Sequence, residues 1–354
     1  MRKLASIQRV DWIRPIEGRD RIELAGILGW QVIVQKGEFS VGDYVVYIEI
    51  DSQLPEKPEF EFLRSRKFRI KTMKMGGVLS QGIVFPFSVL PDGSYELDQD
   101  VTDVLNIKKY EPAIEDIPSE YKPKNPVIKF LYRYKIFRKL FSHKFSKKQF
   151  PSFISRTDET RIQNIPDMLT RKDITFEVTE KINGQSSTFF LKREKLFGII
   201  PYFDFGVCSR NLRLPKGNSG IWSLVDKYDI EDVLKSIIGN HDFVAIQGEH
   251  ISPKVQGNKY KVSESDLYVF NLIYPDGKRN SLDMLSILSE YGISVVPVIH
   301  VKFTLPDTVE ELLDYATDTS MLYGTLREGV VIRNYENNVS FKVVSPEFLI
   351  KNDE

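Results

Sequence analysis

Apolar and polar positions alternate in short runs over the first hundred residues. Gly29–Lys36 (GWQVIVQK), Asp43–Ile50 (DYVVYIEI) and Gln81–Phe87 (QGIVFPF) are rich in Val, Ile, Tyr and Phe and are bounded by Gly, Asp and Pro. Turn chemistry lies between them, at Glu38–Asp43 and at Pro91-Asp92-Gly93. Closely spaced short strands without long helical periods predict a small β-barrel, OB-like if the partner is a nucleic acid. From about Phe150 the pattern is mixed. Strand-like runs (ITFEVTEK, SSTFFLKRE, DFVAIQGE, LYVFNLIY, EGVVIRNY, NVSFKVV) are interspersed with helix-like ones (NSGIWSLVDKY, DVLKSII, SLDMLSILSEYG, TVEELLDYAT). Several strands follow one another with no helix between, which predicts an α+β domain of antiparallel sheets with flanking helices rather than a doubly wound parallel sheet. The expected division is a barrel over 1–105, an arm over 106–150 and the α+β domain over 151–354.

Charge changes this picture at one place. The 354 residues carry 49 basic and 49 acidic side chains, which excludes a uniformly acidic or basic protein. Yet Tyr121 to Thr157 holds eleven Lys or Arg and no Asp or Glu, leaving 38 basic against 49 acidic residues elsewhere. Phe130, Tyr134, Phe137, Phe141 and Phe145 recur there at helical spacing. Three readings stay open: an inter-domain helix with its charges in water, an RNA-contacting arm, or a membrane-surface segment. A second basic cluster, Arg64, Arg66, Lys67, Arg69, Lys71 and Lys74, lies in the barrel region and is a candidate to follow a phosphate backbone. The single cysteine, Cys208, excludes an internal disulfide or thiolate metal cluster, and is expected to fill a core position. With no long apolar run and an N-terminus broken at once by charge, the expectation is a soluble, cytoplasmic protein without a membrane partner. The four histidines are scattered without metal-ligand spacing.

The candidate chemistry starts from Glu180-Lys181-Ile182-Asn183-Gly184, which contains KxxG. Lys74 and Lys254 begin the same pattern, so it carries little weight alone. What distinguishes Lys181 is the order of residues after it: Ser209-Arg210-Asn211, Gln247-Gly248-Glu249, the run holding Phe270, Arg327-Glu328-Gly329-Val330-Val331 and Ser340-Phe341-Lys342. A lysine amine is a competent nucleophile once neutral, and positive charge with desolvation favours that form. Lys342 and Arg210 are the cations at hand, and carboxylates such as Glu249 and Glu328 suit a hard ion such as Mg²⁺.

This ordered set resembles the covalent nucleotidyltransferases, the ATP-dependent ligases and mRNA capping enzymes. Lys181 matches their nucleophile motif, Glu249 the third motif, Phe270 the adjoining aromatic motif, Glu328 the fourth and Lys342 the fifth. The blocks GDYVVYIEIDSQLPE, KMGGVLSQGIVFP and SRTDETRIQNIP sharpen the likeness to nick-sealing RNA ligases of the Deinococcus type, in which an OB module precedes the nucleotidyltransferase (ATP-grasp-like) domain. DNA ligases and capping enzymes place it behind. The resemblance implies an ATP-dependent RNA ligase, monomeric, acting with Mg²⁺ or Mn²⁺ on nicked RNA-containing duplexes. Lys181 would become adenylylated, Glu328 would serve the metal and Glu249 the ribose hydroxyls or metal. Phe270 would stack on adenine, and Arg210 and Lys342 would hold phosphate oxygens. Glu180, Ile182, Gly184 and Val330 would border the ATP site, with Arg161 and Gln163 weaker members of it. One departure stands out: many relatives carry KxK in the fifth motif, and here Ser340-Phe341-Lys342-Val343-Val344 has one lysine, which leaves open whether Lys342 is the inner phosphate-binding lysine or the outer one. The rivals are a DNA ligase, a GTP-using capping enzyme, or an inactive RNA-binding relative.

Overall fold

The computed structural model describes residues 3–110, 148–196, 199–217 and 219–353. The basic aromatic segment lies outside them, from 111 to 147, so the readings placed on Phe130 to Phe145 have no structural counterpart here. The N-terminal barrel combines two antiparallel three-stranded sheets. Tyr44–Ile48 lies between Ala5–Arg9 and Ile83–Phe85, and Ile22–Ile27 lies between Trp12–Pro15 and Trp30–Gln35. The pleat explains the sequence pattern: Trp30, Val32 and Val34 are buried while Gln31 and Ile33 between them are partly exposed. Ile7, Trp30, Val46, Ile48 and Phe60 fill the barrel interior. Barrel structure continues past residue 105, because Lys108–Lys109 pairs with Ser52–Gln53.

The second domain consists of two sheets. The larger runs Lys148–Gln149, Leu212–Leu214, Ile200–Ser209, Gln185–Leu196, Phe243–Ile251, Asp266–Tyr274 and Gly277–Lys278, with Ser294–Val295 added parallel to Asp266–Tyr274. Helices Gly220–Tyr228, Ile230–Ile237 and Ser281–Ser289 cover it, burying Leu224, Leu234, Met284 and Leu288 against Phe189, Val244 and Leu267. The smaller sheet runs Thr160–Arg161, Val339–Val344, Gly329–Asn334, Phe176–Lys181 and Val298–Phe303, all antiparallel except its first pair. Helix Val309–Ala316, started by a Thr308–Glu311 capping box, seals it with Leu312 and Ala316 over Phe176, Ile332 and Phe341. This α+β arrangement follows the sequence expectation. Cys208 is fully buried beside Phe190 and Ala245, and burial pushes its thiol up to about 12.

The barrel and the second domain are fastened by specific contacts. Val344 and Leu349 join the barrel's own apolar cluster. Trp30 Nε1 donates to Asn164 Oδ1 at 2.6 Å, and Asn164 Nδ2 donates to Glu49 Oε1 at 2.7 Å. Arg161 Nη2 donates to Asp51 Oδ2 at 3.0 Å, and Lys71 pairs with Asp353 at 2.5 Å. No helix among the described residues is long and apolar enough to cross a membrane.

Candidate active site

The strand Phe176–Lys181 ends at a tight turn into Gln185–Leu196, and its last residue lies across from Gly329. That register sets Lys181 beside Glu328, and Lys181 Nζ reaches Glu328 Oε1 at 2.7 Å. Two glycines make this approach possible. A Cβ on Gly184 would meet the His250 carbonyl oxygen at 2.5 Å, and one on Gly329, at φ +152°, would meet the Val343 carbonyl oxygen at 2.1 Å. Behind the turn, the Asn183 N–H donates to Tyr260 Oη at 2.8 Å, and Tyr260 stacks on Tyr323 with centroids 4.7 Å apart.

Lys181 opens into a cavity of about 630 Å³ between the two sheets and the barrel, a size suited to a nucleotide. Its walls bring together Arg161, Lys181, Ile182, Gly184, Arg210, Glu249, Phe270, Glu328 and Lys342, drawn from across the second domain's sequence. Glu328 is buried, and its Oε2 has no hydrogen-bond partner among the described residues. Burial raises the Glu249 carboxyl to about 7, with Lys181 opposing the shift and Glu328 adding to it. Burial pushes the Lys259 ammonium down on the same wall, with Glu328 opposing and Lys181 and Arg69 reinforcing. Arg161 lies in a two-residue strand alongside Lys342, not in a helix. It is buried, and its Nε and Nη1 have no hydrogen-bond partner among the described residues.

Other expected site residues are turned elsewhere. The Val330 side chain is fully buried in the core of the smaller sheet. Gln163 is fully buried outside the cavity wall, its backbone carbonyl accepting from the Gly29 N–H of the barrel. Glu180 borders the cavity, but its carboxylate accepts from the Met321 N–H at 2.9 Å, and burial raises it. Alternation along the strand explains Val330, which faces the core while Val331 and Arg333 line the cavity.

The basic cluster of the barrel is divided by the fold. Arg64 is exposed and held by Glu61 and Glu56. Arg66, in contact with the Met73 sulfur, is exposed, as are Lys67 and Lys74. Arg69 instead stacks over Tyr110 at 3.8 Å and lines the cavity, and Lys71 is occupied by Asp353. The sequence reading did not include Asp158, Lys109, Lys259, Tyr260 and Arg333. Asp158 lies within the SRTDETRIQNIP block and could have been singled out there, whereas the others carry no local pattern.

Comparison with known proteins accords with this geometry. Residues 4–87 match an OB-fold domain family, and residues 174–344 match the RNA ligase family. No sequence among the curated proteins matches. Among solved structures, a variant of Naegleria gruberi RNA ligase with AMP and Mn shares 29% identity and a TM-score of 0.81, with 98% of each chain covered. A variant of the same ligase with ATP and Mn gives 29% and 0.81 over 100% of each chain. Naegleria gruberi RNA ligase with PPi gives 29% and 0.79, over 99% of this chain and 98% of that one. Fold and site thus define a nucleotidyltransferase with an N-terminal OB-fold domain. The chain is an RNA ligase.

Proposed function

We propose that this ligase is ATP-dependent and joins 3′-hydroxyl to 5′-phosphate RNA ends, at nicks in duplexes, through a lysyl-AMP and an adenylated 5′ end. The observation that carries the reading is Lys181 paired with Glu328 at 2.7 Å on the wall of a nucleotide-sized cavity. The related ligase structures with ATP and Mn, AMP and Mn, and PPi support ATP and a divalent ion as its requirements. In the first step the Lys181 amine attacks the α-phosphorus of ATP. A P–N bond forms, the bond to the bridging oxygen breaks, pyrophosphate leaves and the amine gives up its proton. In the second step the AMP moves to a 5′-phosphate oxygen, restoring the lysine. In the third a 3′-hydroxyl oxygen attacks the activated end, AMP leaves, and a phosphodiester forms. All three are displacements at phosphorus, so positioning and charge neutralisation account for most of the acceleration.

Each remaining role follows from its surroundings. Arg161, Arg210 and Lys342 hold phosphate oxygens, and the two partnerless donors of Arg161 suit that task. Phe270 stacks on adenine, and Gly184 with Ile182 lets the backbone approach the nucleotide closely. The buried, unpartnered Oε2 of Glu328 fits a hard cation, with Glu249 nearby for the metal or the ribose hydroxyls. Glu328, with Glu249, would hold a Mg²⁺ or Mn²⁺ ion, whose charge would offset that of the reacting phosphates. Exposed Arg66, Lys67 and Lys74 remain available to an RNA backbone, with Arg64 less so.

Incubation with labelled ATP or GTP, followed by sealing of nicks with RNA and DNA exchanged on each side, tests the proposal. ATP alone should label the protein, Lys181→Ala should abolish labelling and sealing, and a ribonucleotide should be required on the 3′-hydroxyl side. Labelling by GTP alone would identify a capping-type activity, and equal sealing of all-DNA nicks a DNA ligase.

A further inference from the structure

One carboxylate gathers three of the cations that line the cavity. Asp158 Oδ1 accepts from Arg210 Nη2 at 3.2 Å and from Lys342 Nζ at 3.3 Å, and its Oδ2 accepts from Lys109 Nζ at 3.2 Å. The cations come from separate places: Lys109 from the barrel side, Arg210 from the end of Ile200–Ser209, and Lys342 from Val339–Val344. Burial alone would raise the Asp158 carboxyl, but Lys342, Lys109 and Arg210 together hold it well below the usual carboxylate range. Two of these cations, Arg210 and Lys342, are among the three phosphate ligands of the function proposed above. A carboxylate with both oxygens engaged in this way presents the charge and oxygen spacing of part of a phosphate chain.

We propose that Lys109 is a fourth phosphate-binding cation of this site, beside Arg161, Arg210 and Lys342, and that Asp158 is a resident anion that the phosphates of ATP displace. The inference rests on the reading of the cavity as an ATP site. Lys109 adds positive charge from the barrel side to a site whose strand Val339–Val344 contributes a single lysine. Asp158 keeps three cations together in the absence of nucleotide, which would otherwise repel one another. Because its side chain is one-third exposed, it can swing into solvent when phosphate arrives. Asp158 acts through the cations and is a positioning residue. Its cost is that each nucleotide must compete with it.

The test is calorimetric titration of the full chain, wild type, Asp158→Asn and Lys109→Ala, with inorganic pyrophosphate and with adenosine. Asp158→Asn should bind pyrophosphate roughly tenfold more tightly and Lys109→Ala roughly tenfold more weakly, while adenosine affinity stays the same in all three. Pyrophosphate affinity unchanged or reduced in Asp158→Asn, or unchanged in Lys109→Ala, overturns the inference. Should the Asn variant not fold, carbodiimide labelling of wild-type Asp158, read by peptide mass, should rise on adding pyrophosphate; labelling that stays level or falls is equally fatal. Wild-type protein that forms lysyl-AMP while failing these tests leaves the ligase reading standing. Wild type that takes no adenylate from ATP removes that reading and this inference with it.

Discussion

Lys181, Glu328 and Lys342 are legible in the sequence because each sits in a short motif whose order carries meaning. The structure adds what order cannot hold: Lys109 and Asp158 are 49 residues apart and meet only through the fold. Arg161 illustrates the same limit. Its role follows from burial with two partnerless donors rather than from any pattern around it. Replacing it by Lys keeps the charge but loses the planar fork, and should slow lysyl-AMP formation about tenfold or more, measured in single turnover. Glu249 gives a pH prediction. Its folded value, about 7, lies above its unfolded value of 4.5, so the folded state binds the extra proton more tightly. Its stabilising contribution is therefore complete below pH 4.5 and is lost as pH rises through 7. The melting temperature of ligand-free protein should show this decline between those limits, and Glu249→Gln should remove that component. A wild-type and Gln profile of identical shape would contradict the assignment.

Among the elements, the longer apolar strands and the helices Gly220–Tyr228, Ile230–Ile237, Ser281–Ser289 and Val309–Ala316 were readable from period and turn residues, whereas Ala5–Arg9, Ile22–Ile27, Val298–Phe303, the short strands and the six-residue helix Pro346–Lys351 were not singled out. Ile200–Ser209 was not, because its first four residues are exposed, it includes Pro201, and only its second half is buried. It pairs over its whole length with Gln185–Leu196 to form a long hairpin that carries Arg210 to the cavity. Val330 and Gln163 were placed in the site by motif proximity, whereas the alternation of side chains along a strand, or the docking of the barrel, sends them into the core. Glycines at the strand ends are the positions where local conformation and function meet. Gly329→Ala must fit a Cβ against the Val343 carbonyl, so it should destabilise the protein by about 2 kcal/mol or more and lower the melting temperature by several degrees. Tyr260→Phe removes only the hydroxyl that accepts from Asn183, at a stability cost of about 1 kcal/mol, and should slow adenylylation by loosening the turn beside Lys181. Chemical denaturation and single-turnover labelling check both.

For the molecule as a whole, the division into barrel and catalytic domain was readable, but the way they join was not. Val344 and Leu349 belong by sequence to the second domain and by packing to the barrel interior. Asp51, Arg69 and Lys109 belong to the barrel and line the cavity. A polar clasp of Trp30, Asn164 and Glu49 links the two. Because apolar core and polar clasp are shared, the full chain should unfold in one calorimetric transition, and Asn164→Ala, which leaves the buried Trp30 N–H without its partner, should lower that transition. Two separate transitions in the wild type would show that the halves fold independently.

The lone thiol at Cys208 is sealed among aromatic and aliphatic side chains and is held almost wholly in its unreactive form. The native chain should accordingly not react with maleimides or iodoacetamide, which mass measurement after labelling checks. A cysteine introduced at exposed Lys74, for example, would accept a fluorophore as a unique label, and the approach of a nucleic acid to the barrel could be watched without first removing any native residue.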